Sequence, residues 1–318
     1  MLELPNLQID LSNDAIFSLA SHILGFEHHL SKGSIQKDSL GWLFAALQDS
    51  KDSILDRNDT IMNSAFGNWL EQIIFIQKNL NISGKIFPTA ASKLADDFIN
   101  NKHFLYFPIQ WENHTISIMI FHKYLAVINR GAGRHADGGI VYYKLKKNLS
   151  KSSLESLLNC NPLCFNKLEF ENLKQNIIDS FCYVDTTVSN QKYPTCGYAN
   201  KKSALRAFYT LIECHKQNIH PNEVICEFHR LKYKTFSAVS RLKFLKRLLD
   251  TAPNSDEEKN RKFEIILYYS MQHNNFIKNH EQEGMKLIFE WLQKESLQNI
   301  FSEKIRSLNY GSTVIPVV

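Results

Sequence analysis

Between His103 and Leu145 the chain changes its period. The runs HFLYFPIQW, TISIMIF, YLAVIN and IVYYKL are short and rich in β-branched and aromatic residues. In the second, Ile116, Ile118 and Ile120 alternate with Thr115, Ser117 and Met119. A period of two is what a strand with two unlike faces requires. Only a Gly-rich loop, NRGAGRHADGG (129–139), separates the last run from the others by more than a few residues. Connections this short favour antiparallel pairing, because a parallel return needs a crossover of a dozen residues or more. A four-stranded antiparallel meander is therefore predicted.

Both flanks read as helical. DAIFSLASHILGFEHHL carries Ile16, Leu19, Ile23 and Leu24 at helical spacing after an Asn13-Asp14 cap candidate. SLGWLFAAL and SAFGNWLEQIIFIQKNL continue the pattern, and NISGKIFP, with a Gly and a Pro, breaks it. From Pro221 helical patterns return, interrupted most clearly at TAPNSDEEKNR (251–261). Helices, a small antiparallel sheet and helices again define an α+β chain. The expected organisation is a helical region 1–80, a core 81–215 and a second helical region 216–318.

The charge narrows the partners. The net charge of +5 arises from 37 basic and 32 acidic residues that are scattered along the chain. No nucleic-acid partner is expected from this balance. The densest basic clusters, YYKLKKNLSK and HRLKYKTFSAVSRLKFLKR, read most simply as solvated faces, with a phosphate-rich ligand as the sharper alternative. Six cysteines in 318 residues form no disulfide framework, so free thiols in a reducing compartment are expected. Cys160 and Cys164 in CNPLC resemble half a metal site, but no second ligand pair follows at suitable spacing. No metal and no cofactor are expected. The opening residues show neither a basic nor an apolar signal segment, and no run approaches the roughly 20 apolar residues that span a bilayer.

Chemistry concentrates at NQKYPTCGYANKKSALRAFYTLI (190–212). Leu205, Phe208, Tyr209 and Ile212 fall at i, i+3, i+4 and i+7, the buried stripe of a helix. Pro194 and Gly197 flank Cys196 and let the chain turn sharply into that helix. At a helix N-terminus the unpaired N–H groups and the dipole favour a thiolate. The other reading of a lone cysteine is a small packed side chain. A thiolate needs a base held by a rigid element, and His114 stands at the head of the alternating strand. With a hairpin turning near Phe121-His122, His114 would face Asn129 at the end of the next strand, close enough for the amide to orient the imidazole.

The order His114, Asn129, Gln191, Cys196 resembles that of the ubiquitin-like-protein proteases, the clan CE cysteine peptidases. These include SUMO and NEDD8 deconjugases, adenoviral protease, and bacterial effectors of the same fold such as the YopJ-type acetyltransferases. In that family a His starts one strand and an Asp or Asn ends the next. A Gln then precedes a Cys-Gly that opens the central helix. HTISIMIFHKYLAVIN and QKYPTCGYANKKSALRAFYTL are similar on all four points, and the resemblance spans about residues 103–215. It implies Cys196 as nucleophile, His114 as base and then acid, and Asn129 as the group orienting His114. Gln191 and the Cys196 backbone N–H would form the oxyanion hole. The chain departs from the family pattern at Thr115, where deconjugases usually carry Trp, and in having Asn rather than Asp at 129, with Asp137 as the alternative. Gln191 also stands slightly closer to the Cys than in many members.

The expected function is thus a cysteine peptidase or isopeptidase acting on a protein, with ubiquitin or a ubiquitin-like modifier as the partner. A YopJ-type acyltransferase on the same scaffold and a non-catalytic binding or scaffold protein are the alternatives. The resemblance further implies a bacterial effector delivered to a host cytosol.

Overall fold

Alternation along Ile116–Met119 makes two apolar faces, and each strand that pairs with it must do the same. In the computed structural model five antiparallel strands satisfy this in the order β1-β2-β3-β4-β5. They are β1 (Phe104–Trp111), β2 (His114–Phe121), β3 (Tyr124–Ile128), β4 (Ile140–Leu145) and β5 (Ile178–Asp185). The structure describes residues 36–56, 58–80, 85–101, 104–111, 114–129, 139–159, 167–185, 196–224, 226–273 and 279–309, together with Ile16, Leu19, Ala20 and Leu24. His114 and Cys196 are placed by their backbones.

The chain divides into two compact units, Met1–Asp10 with Gly33–Phe236, and Leu11–Lys32 with Ser237–Val318. In the first unit the sheet is preceded by α1 (Gln36–Ile54), α2 (Thr60–Lys78) and α3 (Pro88–Asn101). Between β4 and β5 lie α4 (Lys151–Leu158) and α5 (Lys167–Ile177), and α6 (Cys196–Gln217) follows β5. A single 3₁₀ turn, Pro221–Glu223, leads into α7 (Cys226–Asp250). The protein is α+β, with helical stretches on both sides of the sheet in sequence. Helix α2 starts where the Asp59 carboxylate accepts from the Met62 N–H at 3.0 Å, an N-cap that satisfies one of the first turn's orphan donors. Helix α3 begins at Pro88, whose fixed φ and missing N–H suit the first helical position.

One face of the sheet packs on α6. The helical stripe Leu205, Phe208, Tyr209 and Ile212 is fully buried. Phe208 stacks on Trp69 of α2 at 5.2 Å and meets Phe104 edge-on at 5.7 Å. The Tyr209 hydroxyl donates to the Ile54 carbonyl at 2.7 Å, so the one polar atom of that stripe is paired inside the core.

The two sheet edges differ. On β1 the Gln72 side chain donates to the Phe104 carbonyl at 2.6 Å and accepts from the Tyr106 N–H at 2.8 Å. Residue 108, two positions on and therefore facing the same way, is Pro and has no N–H to offer. On β5 the run Asp179, Ser180, Phe181 is exposed, and two register shifts, at Tyr142/Tyr143 and Lys144/Leu145, irregularise its pairing with β4.

The second unit is helical: α7 from Ser237 onward, α8 (Asp256–His273), α9 (Asn279–Lys294) and α10 (Gln298–Asn309). Ile16, Leu19, Ala20 and Leu24 are helical and buried. Ile265, Ile266, Ile288 and Leu292 are buried here too. A Cβ on Gly284 would sit 2.9 Å from the Tyr269 hydroxyl, so the close approach of α9 to that ring depends on the glycine. Lys262 is only 3% exposed, and its ammonium donates to the carbonyls of Leu249 and Thr251 at 2.7 and 2.9 Å. It thereby caps the carbonyl end of α7.

Candidate active site

The direction of α6 decides what its first residue can meet. Midway along it, Arg206 Nε reaches Asp185 Oδ2 at 2.5 Å and Nη2 reaches Oδ1 at 3.2 Å. Asp185 ends β5 opposite Ile140, Ile140 pairs with Ile128, and Ile128 pairs with Ser117. At the other end of α6, His215 meets Phe121 edge-on at 5.2 Å, and Asn218, just beyond it, accepts from Lys123 Nζ at 2.8 Å. The helix therefore runs from the end of the sheet where β2 begins and β3 ends towards the β2–β3 turn. Cys196 opens α6 ten residues before Arg206, about 15 Å of helix at the usual rise. His114 opens β2 three residues before Ser117. The backbones of Cys196, His114 and Asn129 thus share one end of the sheet.

The expected pairing of His114 with Asn129 is not the one formed. Phe121 pairs with Tyr124 and Ser117 with Ile128, so the turn is His122-Lys123 and the register differs by two residues. Continued by one position, it sets Asn129 opposite Ile116. The physical cause is His122, which takes φ 51°, the left-handed conformation that a two-residue hairpin loop needs at its first position. A shift of two keeps His114 and Asn129 on the same register face, as diagonal neighbours rather than a direct pair. Asn129 is half-buried and its N–H donates to the Gly139 carbonyl at 2.7 Å, closing the base of the Gly-rich loop.

Strand parity adds a second constraint. Phe104 and Phe121 are paired and pack towards α6 through Phe208 and His215. Thr115, Ser117 and Met119 share the parity of Phe121, whereas His114 occupies the alternate position. Gln191, Asp137, Cys160 and Cys164 lie outside the described residues.

The two cysteines with described side chains are poor nucleophiles. Cys214, buried within α6, is pushed up to about 12, first by burial and then by the neighbouring Cys182. Cys182 on β5 is also raised, chiefly by burial. Among the described residues no cluster of His, Cys, Asp and Glu could hold a metal ion, and no helix is long and apolar enough to cross a membrane.

Two features escaped the sequence reading. The Asp185–Arg206 pair was signalled only by an Arg on an otherwise apolar helical stretch, SALRAFYTLI. The other is a cleft of about 600 Å³ at the opposite end of α6, lined by four lysines and two stacked histidines.

No protein-family model and no curated protein matches the sequence. Among solved structures, one titled "Structure of Legionella Effector AnkH" matches with a TM-score of 0.67 at 13% identity. The match covers 95% of this chain and 67% of that one. At that identity the likeness is one of fold.

Proposed function

We propose that this chain is a cysteine-dependent acyl-transfer enzyme, a peptidase or isopeptidase acting on a protein substrate, of the kind bacterial effectors carry. One observation supports it above others: α6 opens on Cys196 at the end of the sheet where β2 opens on His114. In this reading the Cys196 thiolate, favoured by the helix N-terminus, attacks an amide or isopeptide carbonyl. His114 takes the thiol proton and returns it to the leaving amine. Gln191 and the Cys196 N–H stabilise the oxyanion, and water resolves the thioester. Ubiquitin or a ubiquitin-like modifier is the substrate the sequence resemblance favours, and the fold likeness to an effector of Legionella favours action in a host cytosol.

A second reading has its own support. Thr115 and not His114 shares the register of the residues facing α6, which suits a protein that keeps this fold for binding without catalysis. A YopJ-type acyltransferase would share the nucleophile and differ only in the group that resolves the thioester.

The test is labelling by ubiquitin, SUMO and NEDD8 probes with C-terminal electrophiles, on wild type and Cys196→Ala. Labelling that disappears in the variant supports the enzyme and names the modifier. Where no probe labels, the pH dependence of iodoacetamide reaction at Cys196 decides. A thiol pKa well below the usual 8.5 keeps acyl transfer to another acceptor, while an ordinary or raised one supports the binding protein.

A further inference from the structure

Far from Cys196, at the C-terminal end of α6, four lysines gather at one cleft. Lys123 lies in the β2–β3 turn, Lys144 on β4, and Lys146 and Lys147 just beyond it, all lining the cleft of about 600 Å³. Among the described residues none of the four is paired with a carboxylate. Several basic groups elsewhere in this unit do have such partners: Lys151 with Asp96 and Glu155, Lys216 with Asp59 and Glu213, Lys174 with Glu171, Arg206 with Asp185. The cleft lining contains no Asp or Glu. Glu213, one turn before the end of α6, is held by Lys216 and Gln217, and Glu223 accepts from the His220 N–H.

Two of the charges are fixed in place. Lys123 Nζ donates to Asn218 Oδ1 at 2.8 Å, and Lys146 Nζ to the Gln175 carbonyl at 3.0 Å. The carbonyl end of α6 contributes about half a negative charge, which four ammonium groups outweigh. Holding like charges around a concave wall costs electrostatic energy, and an anion in the cleft would relieve it. His122 and His215 stack at 3.6 Å with planes 4° apart and line the same cleft.

Charge does not account for the whole cleft. Phe98, Ile99, Leu145 and Leu149 also line it and give it an apolar wall. Inorganic phosphate has no use for that wall, and an extended nucleic acid or a membrane would need a broad face rather than a hollow of this size. The volume falls in the range of small-molecule sites, which combine an apolar lining with a few convergent polar groups.

We propose that this cleft binds a phosphorylated small molecule of nucleotide size, its phosphates on Lys123, Lys144, Lys146 and Lys147 and its apolar part against Phe98 and Ile99. The site is independent of Cys196, so it stands or falls apart from the proposed catalysis.

Calorimetric titration of the full chain with ATP, pyrophosphate and adenosine tests it. ATP is expected to bind, pyrophosphate to bind more weakly, and adenosine to fail. Lys123 and Lys147 are exposed, so Lys123→Gln with Lys147→Glu should fold normally and weaken ATP at least tenfold. Lys286→Glu, on an exposed face of the second unit, should change nothing. Raising salt from about 50 to about 300 mM should weaken ATP several-fold, as screening of charge contacts requires. Absence of ATP binding overturns the proposal, as does ATP binding that the double substitution leaves unchanged. Binding of a DNA 20-mer or of phosphatidylserine vesicles through the same lysines, without ATP binding, also overturns it in favour of an extended polyanion.

Discussion

Both units bury a cation, and they accommodate it differently. In the sheet unit Arg206 meets Asp185 in a two-point ion pair, with side chains 8% and 3% exposed. In the helical unit Lys262 has no carboxylate at ion-pair distance among the described residues. It is held by two main-chain carbonyls and lies 5.1 Å from the centre of the Trp291 ring. Burial lowers Lys262 to about 8, although Glu295 and Asp250 pull the other way. Carbonyl dipoles and a ring face satisfy the donors without cancelling the charge. The difference teaches that hydrogen-bond satisfaction and charge compensation are separate requirements, and Lys262 meets the first without the second.

The largest expected effect comes from breaking the ion pair. Arg206→Met takes the guanidinium away from the buried Asp185 carboxylate and should cost roughly 3–5 kcal/mol in urea unfolding. Adding Asp185→Leu should recover much of that loss; a double variant no more stable than the single would show that packing, and not charge, holds this contact. Next is the pH response of Lys262. Its folded pKa lies below the usual 10.5, so between about pH 8 and 10.5 the unfolded chain binds more protons and stability rises with pH. Wild type should gain roughly 3 kcal/mol over Lys262→Met across that window. A flat difference would mean that the amine stays charged and compensated. Gln72→Leu should cost roughly 1–3 kcal/mol, because a carbonyl and an N–H of β1 lose a neutral partner. The smallest effect is Lys262→Met at pH 7, expected within about 1 kcal/mol of wild type, since removing an uncompensated buried charge offsets the lost carbonyl contacts.

The strands β1 to β4 were legible because each is buried along most of its length and rich in β-branched or aromatic residues. The α6 stripe was legible for the same reason at helical spacing. Strand β5 was not, and the predicted meander stops at four strands. Its exposed Asp179-Ser180-Phe181 run and the bulged pairing with β4 erase any period of two. Helix α3 also passed unread, its buried face being largely alanine: Ala90, Ala91 and Ala95 with Leu94 and Phe98. The hairpin register depended on one backbone angle at His122, which the residue type permits without announcing. Of the candidate site, the sequence supplied the start of α6 at Cys196 and of β2 at His114. The unequal register positions of His114 and Thr115 emerged only from the pairing. The basic cleft drew on a cluster, YYKLKKNLSK, that the sequence did display, but its other walls come from α3 and the end of α6.

The closed edge of the sheet has a consequence for how copies of this chain can meet. A filament built by strand addition needs two open edges on every subunit, one to receive and one to template. Here Gln72 occupies the Phe104 carbonyl and the Tyr106 N–H of β1, and Pro108 removes the next donor along. Among the described residues β5 is the more open edge, with Asp179, Ser180 and Phe181 exposed, so strand-to-strand association is favoured there. Two chains joined through β5 would form a ten-stranded pair whose outer edges are two β1 strands, each obstructed by Gln72 and Pro108, which favours association that ends at a dimer.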